Sequence, residues 1–198
     1  MLGRVAEIHQ TGYHSGSEQP LKSKLLTGAV LLACFALLLV FASPTYRQGE
    51  PGMAGRKAPD FTFELEGRST TLSALAGKVV VLNFWATWCP PCVEEMPSLN
   101  RLHDKIATLG AMVVGVSVDD DTAAYENFLR EYHIRFTNHR DPSKQIAQEY
   151  GSVMYPETYI LTVPKGGGTP IIQRKIIGPQ DWDRPEVVEY IRGLISRQ

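Results

Sequence analysis

The stretch VVVLNFWATWCPPC, residues 79–92, decides the fold of this 198-residue chain. Its first half, Val79–Trp85, is a nearly continuous apolar run, which is typical of a β-strand buried on both faces. After Cys92, apolar residues recur at helical spacing as far as Leu109, so a helix is predicted to begin near the cysteines. The stretch therefore predicts a buried strand, a short loop and a helix, with Cys89 and Cys92 where the loop meets the helix.

The position of the two cysteines at the start of a helix favours redox chemistry. A thiol there lies at the positive end of the helix dipole, near N–H groups that have no partner within the helix, and both features stabilise the reactive thiolate. Cys92 follows Cys89 by three residues, within reach of a disulfide across the first turn. The spacing therefore predicts a Cys89–Cys92 pair that opens and closes reversibly.

Pro90 and Pro91 fill both positions between the cysteines. Proline is tolerated in the first helical turn, but it has no backbone N–H. The turn therefore lacks two donors that would stabilise a Cys89 thiolate, and the N–H of Cys92 is the natural remaining one. We expect this thiolate to be stabilised less than in a strongly oxidising protein, which makes the cysteine pair more reducing.

The residues around the motif disfavour its other uses. Covalent haem attachment needs a histidine directly after the second cysteine, and Val93 is there. A structural zinc site needs two further ligands, but the sequence has no second cysteine pair. A structural disulfide across so short a loop would add little stability, and a peroxiredoxin needs a threonine where Ala86 stands. Thiol–disulfide exchange is therefore the favoured chemistry.

Strand and helix patterns alternate after the linker, which predicts one α/β domain over residues 59–198. The last two predicted strands are joined by a Pro-Lys-Gly-Gly-Gly turn, typical of a hairpin. We expect buried parallel strands with helices between them, followed by this hairpin and a final helix. Strands are predicted at 61–65, 79–85, 111–118, 158–163 and 169–177, and helices at 93–109, 122–132, 143–150 and 184–196.

An uncharged apolar run, Leu25–Ala42, precedes this domain. Its length is at the threshold for a membrane-spanning helix, and Lys22 and Lys24 directly before it place the N-terminus in the cytoplasm by the positive-inside tendency. We therefore predict a cytoplasmic tail over residues 1–24, a transmembrane signal anchor over 25–42 and a linker over 43–58. The domain is then expected on the periplasmic or equivalent extracytoplasmic side of a bacterial inner membrane.

Two other interpretations of the apolar run stay open. Residues 40–42, Val-Phe-Ala, would suit cleavage by a signal peptidase. The segment LLAC ending at Cys34 resembles a lipoprotein signal, although the apolar run continues past Cys34, where such a signal should end. We favour Cys34 as an apolar residue within a membrane helix.

The motif FWATWCPPC after a buried strand resembles the thioredoxin superfamily, and within it the TlpA/ResA/CcmG-like thiol:disulfide oxidoreductases. The resemblance covers about Ala58 to Ile195. Asn83 stands where thioredoxins have a buried aspartate, and Glu95 follows the second cysteine by three residues; both features are typical of this branch. The resemblance implies a thioredoxin-like fold, a central mixed sheet flanked by helices, after one transmembrane helix. We expect no organic cofactor and no metal.

The predicted catalytic residues are Cys89, Cys92 and Glu95, with Cys89–Cys92 as the redox-active disulfide. Glu95 lies one turn past Cys92 on the same helix face, and we expect it to move protons for Cys92 or to tune the pair. Glu94 is expected to be solvated, and Asn83 to be a structural residue whose buried polar group needs a partner.

The predicted substrate-binding residues are Trp88, Tyr155 and Pro156. Trp88 directly precedes the first cysteine and is expected to flank its sulfur on the docking surface. The superfamily has a cis-proline facing the cysteines, and Pro156 in the stretch SVMYPETYIL matches it. The resemblance implies that the Tyr155 backbone pairs with an extended substrate peptide, and that Pro156 keeps metals and stray donors off the sulfurs.

The acidic run Asp119–Asp121 follows a predicted strand and precedes a predicted helix. Three acids in that position suggest a metal loop at first sight. Helix caps and solvated charges are the commoner use of such residues, because carboxylates are favourable at a helix N-terminus. We therefore interpret the run as caps and solvated charge.

The expected partners are protein disulfide substrates, with apocytochrome c in cytochrome c maturation as one setting, and a transmembrane thiol electron donor of the DsbD/CcdA type. The resemblance implies both. A formal net charge of −1 disfavours a nucleic-acid partner. Two alternatives stay open: an oxidant that forms disulfides on the same fold, and a copper-binding or redox-sensing module without turnover.

Overall fold

The computed structural model describes residues 20–42 and 51–198, which fall into two units. The first unit contains helix α1, Pro20–Ala42. The second contains the α/β domain. Most of the predicted tail, and the linker between Ala42 and Pro51, lie outside the described residues.

In the part of the chain that the structure describes, no helix is long and apolar enough to cross a membrane. The predictions of a transmembrane signal anchor over residues 25–42 and of a single-pass protein in a bacterial inner membrane are therefore wrong. The apolar run has only the minimum length of a spanning segment, and a length at that threshold is a weak criterion.

The strands of the domain form two sheets. They are β1 (Thr62–Leu65), β2 (Arg68–Thr71), β3 (Val79–Trp85), β4 (Ala111–Ser117), β5 (Thr137–Arg140), β6 (Glu157–Thr162) and β7 (Ile171–Ile177). β1 and β2 form an antiparallel pair, and the larger sheet has the order β5-β4-β3-β6-β7. β3, β4 and β5 are parallel, whereas β6 and β7 are antiparallel to their neighbours. The expected central mixed sheet is confirmed.

The helices of the domain are α2 (Pro90–Ile106), α3 (Thr122–Glu131), α4 (Gln145–Tyr150) and α5 (Pro185–Ser196). α2 and α5 each begin with proline, which suits a first turn whose N–H groups have no helical partner. Asp121 caps α3 by accepting hydrogen bonds from the first N–H groups of the helix. α2 and α5 contact each other, and α5 also contacts β3.

Strand β3 is the centre of the core, and all of its residues are buried. Phe84 packs against the rings of Tyr150 and Tyr159, with centroids 5.2 and 5.8 Å apart. Trp85 packs against Phe128 at 5.0 Å. Burying a large apolar side chain of this kind contributes roughly 2–3 kcal/mol. The strand that leads to the cysteines is therefore fixed on both faces of the sheet.

Two strands, β2 and β5, were not predicted from the sequence. Their sequences, Arg-Ser-Thr-Thr and Thr-Asn-His-Arg, have no apolar alternation, and their residues are exposed or half-buried. β5 lies at the edge of the central sheet, where it pairs with β4 alone. Polar residues are tolerated at a sheet edge because one side of the strand faces solvent.

Three segments meet at one edge of the central sheet. β3 and β4 are parallel and end together, with Trp85 opposite Ser117, whereas the antiparallel β6 begins there, with Glu157 opposite Phe84. The loop before Cys89, the residues after β4 and the residues before β6 are therefore neighbours. The predicted redox motif lies at this edge.

Candidate active site

The two cysteines lie at the junction of strand β3 and helix α2. Cys89 is the N-cap residue of α2, and its Sγ accepts a hydrogen bond from the Cys92 N–H at 3.3 Å. The two Cα atoms lie 5.3 Å apart, and the sulfurs form a disulfide. Cys89 is 5% exposed and Cys92 is fully buried. An incoming thiol or disulfide therefore meets Cys89 first.

Pro90 and Pro91 occupy the first two positions of α2. Because neither has an N–H, the Cys92 N–H is the donor of this turn that reaches the Cys89 sulfur. The Cys92 and Val93 N–H groups also lie 3.0 and 3.1 Å from the Cys89 carbonyl oxygen. A Cys89 thiolate would thus have one direct backbone donor in the first turn.

Glu95 lies one turn after Cys92 on α2 and is almost completely buried, at 2% exposure. Asn83 Nδ2 donates to its Oε1 at 2.8 Å. Its Oε2 accepts from the Gln180 N–H at 3.1 Å and from Trp182 Nε1 at 2.7 Å. Strand β3 and the segment between β7 and α5 therefore hold this carboxyl group in place.

Burial raises the pKa of Glu95 from its ordinary value of 4.5 to about 7, because a charged carboxylate would lose its hydration there. The hydrogen bonds from Trp182, Gln180 and Asn83 favour the charged form, but they do not cancel the effect of burial. A carboxyl group with this pKa exchanges its proton near neutral pH, so it can act as an acid or a base for the neighbouring thiols.

Asn83, on β3, links Glu95 on α2 to strand β6. Its Nδ2 also donates to Thr158 Oγ1 on β6 at 2.9 Å. Its Oδ1 is buried and has no hydrogen-bond partner among the described residues. Asn83 thus has the partner that was expected, and its side chain keeps a free acceptor beside Glu95.

The Tyr155–Pro156 peptide bond is cis, as the resemblance implied. The Trp88 ring meets the Tyr155 ring edge-on, with centroids 6.1 Å apart, and Trp88 is 58% exposed. Val153 and Met154, just before Tyr155, are also exposed. The structure therefore brings together the loop between β3 and α2 (residues 86–89, the redox loop) and the loop between α4 and β6 (residues 151–156, the proline loop). It leaves an apolar surface beside the disulfide.

A buried ion pair follows the cis-proline. Lys175 Nζ on β7 lies 3.2 Å from Glu157 Oε2 on β6, and the two side chains are 5% and 1% exposed. The Lys175 ammonium also lies over the Tyr159 ring, 5.4 Å from its centroid. Lys175 is therefore the charged partner of the buried Glu157 carboxylate, whose Oε2 makes no hydrogen bond among the described residues.

Replacing Lys175 with methionine is expected to lower the free energy of unfolding by about 3–5 kcal/mol, because Glu157 would keep a buried charge without its partner. Urea denaturation of the oxidised protein measures the change. Arg135→Met is the matched control, since it breaks an exposed pair with Asp104 and should change stability little. Equal effects of the two substitutions would contradict this explanation.

The interpretation of the acidic run is wrong for Asp119, which is 1% exposed. Its carboxylate accepts hydrogen bonds from the Thr87 N–H at 3.0 Å, the Thr87 hydroxyl at 2.7 Å and the Ser117 hydroxyl at 2.6 Å. Asp120 is exposed and Asp121 caps α3, as expected. Asp119, just after β4, points inward to the loop before Cys89. A buried carboxylate needs hydrogen-bond donors, and Thr87 in that loop supplies them.

Sequence reasoning missed three residues near the site. Trp182 holds Glu95, Asp119 holds Thr87, and Lys175 pairs with Glu157. Of the three, only Trp182 could have been suspected from the sequence, because the indole N–H of a buried tryptophan needs a hydrogen-bond acceptor. Glu94, by contrast, is exposed as expected. Within residues 24–39 and 52–198, no three His, Cys, Asp or Glu side chains lie together so that they could hold a metal ion.

A helix-capping cysteine pair beside a cis-proline, on a central mixed sheet, defines the class: a thiol:disulfide oxidoreductase with a thioredoxin-like fold. Residues 54–165 match the AhpC/TSA family. The thiol-disulfide oxidoreductase ResA of Bacillus cereus is 32% identical over 168 residues, which cover 83% of this chain and 94% of ResA. The chain belongs to the AhpC/TSA family and is a ResA-like thiol:disulfide oxidoreductase.

Further comparisons agree with this assignment. ResA of Bacillus thuringiensis subsp. konkukian is 32% identical over 143 residues, covering 71% of this chain and 83% of that protein. A solved structure from Chlorobium tepidum, assigned as the thiol:disulfide interchange protein DsbE, is 30% identical with a TM-score of 0.58. The match covers 73% of this chain and 96% of that one. The similarity therefore extends over nearly the whole α/β domain.

Proposed function

We propose that the protein reduces disulfide bonds in other proteins, with Cys89 as the attacking thiol and Cys92 as the resolving thiol. The observation that carries this assignment is the unequal exposure of the two residues, 5% for Cys89 and none for Cys92. A substrate sulfur can approach Cys89 from solvent, whereas Cys92 is reached only through Cys89. Cys89 also has the helix N-terminus and the Cys92 N–H to stabilise its thiolate.

The reaction begins with the dithiol form. The Cys89 thiolate attacks one sulfur of a substrate disulfide, forms a mixed disulfide and releases the other substrate sulfur as a thiolate, which takes up a proton. The Cys92 thiolate then attacks Cys89 Sγ, forms the Cys89–Cys92 disulfide and releases the second substrate thiolate. Two electrons pass to the substrate, which leaves as a dithiol, and the protein is left in the disulfide form seen in the structure.

Glu95 is assigned the proton transfer at Cys92. Cys92 must lose its proton before it attacks, and it is buried away from solvent bases. Glu95 lies one turn along the same helix, and its pKa of about 7 lets it take up that proton near neutral pH. Its hydrogen bonds to Asn83 and Trp182 keep the carboxyl group in position through the cycle.

Substrate binding is assigned to Trp88, Tyr155 and Pro156. The exposed Trp88 ring, packed against Tyr155, forms one side of the surface around Cys89. Tyr155 lies just before strand β6, so its backbone can pair with an extended peptide in the manner of an added strand. The ring of Pro156 carries no N–H donor towards the sulfurs.

Each turnover leaves the protein oxidised, so a second dithiol must return two electrons to it. The family resemblance supports a donor of the DsbD/CcdA type for this step, and it supports the cysteines of apocytochrome c, during cytochrome c maturation, as one class of substrate. The single backbone donor to Cys89 supports the reducing direction over the oxidising one. Equilibration of the Cys89–Cys92 pair against glutathione tests that direction.

A further inference from the structure

Thr87 ties the redox loop to the central sheet. Its backbone N–H donates to both carboxylate oxygens of Asp119, at 3.0 and 3.2 Å, and its hydroxyl donates to Oδ1 at 2.7 Å. Thr87 lies directly before Trp88 and two residues before Cys89. The Asp119 carboxylate therefore holds the segment that carries both of these residues.

Asp119 is itself firmly fixed. The Ser117 hydroxyl donates to its Oδ2 at 2.6 Å and accepts from its backbone N–H at 3.1 Å. Arg140, at the end of β5, donates to the Asp119 carbonyl oxygen at 3.2 Å. With an exposed fraction of only 1%, Asp119 has no room to turn away. The Asp119 carboxylate therefore fixes the redox loop relative to the ends of β4 and β5.

The other hydrogen bonds that the described residues give this loop do little to orient its middle. The Cys89 N–H donates to the Ala86 carbonyl at 3.3 Å, which is a bond within the loop. The Val118 N–H donates to the Trp85 carbonyl at 2.9 Å, at the point where the strand ends. Between these two bonds, Thr87 is the loop residue that is hydrogen-bonded to the end of the sheet, and its partner there is Asp119.

We propose that Asp119 is a positioning residue for thiol exchange: by holding Thr87, it sets where Cys89 Sγ and the Trp88 ring meet an incoming disulfide. The proposal rests on the proposed role of Cys89 as the attacking thiol. Displacement at sulfur needs the attacking, central and leaving sulfurs in line, so a shift of the loop by about 1 Å can slow the step by up to about a hundredfold. Asp119 does not touch the sulfurs and acts through Thr87.

The test compares Asp119→Asn with the wild type in the full-length protein. Asparagine keeps the size of the side chain, but its NH₂ group would face donors that now point at a carboxylate. Both proteins, the wild-type reference included, carry the background substitution Cys34→Ser, because Cys34 is a free, exposed cysteine that would react in the same assays. Two rates are measured on the reduced forms: exchange of Cys89 with a peptide disulfide, and alkylation of Cys89 by iodoacetamide, which needs no docked partner.

We expect Asp119→Asn to slow exchange with the peptide disulfide by about tenfold or more and to slow alkylation by less than about threefold. Thr87→Val, which removes the hydroxyl donor, should give an intermediate loss of exchange, and Thr87→Ser, which keeps it, should restore the wild-type rate. Asp120→Asn is the matched control, since it removes the same charge from the exposed neighbour and should exchange like the wild type.

Two outcomes would overturn the proposal. If Asp119→Asn and Thr87→Val lower the urea midpoint but exchange at the wild-type rate, Asp119 only stabilises the fold, and the proposed function stands. If Cys89 of the wild type does not exchange at all, both proposals fail together. Should Asp119→Asn not fold, the Thr87→Val and Thr87→Ser pair decides the question.

Discussion

Replacing Cys92 with alanine is expected to leave substrates bound to the protein as long-lived mixed disulfides with Cys89. Cys89 can still attack a disulfide, but no second thiol remains to release the mixed disulfide. The resolving thiol acts within the molecule, so its loss should slow release by at least about a thousandfold. Acid quenching, alkylation and non-reducing electrophoresis measure the trapped complexes, and mass spectrometry identifies the bonded cysteine and the captured protein.

Cys89→Ala is the matched control for this substitution. Cys92 is fully buried, so it should form no adduct when Cys89 is absent. Both variants should carry Cys34→Ser, because the exposed Cys34 thiol would otherwise capture partners unrelated to the site. Adducts on Cys92 in the Cys89→Ala protein would reverse the roles of the two residues. A Cys92→Ala protein that captures nothing, with Cys89 inert to alkylation, would contradict the proposed reductase.

Replacing Glu95 with glutamine is expected to change how the rate of thiol exchange depends on pH. In the wild type the rate should change near pH 7, where Glu95 exchanges its proton. The glutamine variant should lack this inflection and release substrate about a hundredfold more slowly, in the range typical of losing an acid–base group. Stopped-flow measurement of exchange across the pH range checks both effects.

The same substitution should alter stability with a definite sign. The folded protein keeps a proton on Glu95 up to about pH 7, whereas the unfolded chain releases it above pH 4.5. Between these values the folded state binds more protons, so the wild-type free energy of unfolding falls as pH rises, by about 3 kcal/mol in all from this group. Glu95→Gln lacks this loss, so its stability relative to the wild type should rise by about 3 kcal/mol over that interval.

Glu95→Gln is expected to fold, because the free Oδ1 of Asn83 can accept from the new amide once the Asn83 side chain turns over. Glu94→Gln is the control, since Glu94 lies on the same helix but is exposed. It should leave both the rate profile and the stability profile unchanged. A Glu95→Gln profile that matches the wild type would remove Glu95 from the proton transfer.

The central strand–loop–helix unit could be predicted because its signals are local. A run of apolar residues as unbroken as Val79–Trp85 has few alternatives to a buried strand. Two prolines after Cys89 fit the first turn of a helix and few other positions. The position of Glu95 on the helix follows from its spacing to Cys92, so its place in the site was also accessible from the sequence.

The rest depends on contacts between distant parts of the chain. Asp119 looks like its exposed neighbours in the sequence, and only the pairing of β3 with β4 brings it to Thr87. Trp182 reaches Glu95 from a segment after β7. Strand β5 has no apolar pattern, because an edge strand needs none. The predicted anchor failed for a different reason: its length lies at a threshold that does not separate spanning helices from others.

The reduction potential of the Cys89–Cys92 pair tests the proposed direction of electron flow most directly. Thioredoxin, a reductant, lies at about −270 mV, and the strong oxidant DsbA lies at about −120 mV. Equilibration with glutathione buffers, followed by alkylation and mass spectrometry of Cys89 and Cys92, gives the value. We expect a potential close to that of thioredoxin, because Pro90 and Pro91 leave the Cys89 thiolate a single direct backbone donor in the first turn. A potential close to that of DsbA would contradict a disulfide reductase.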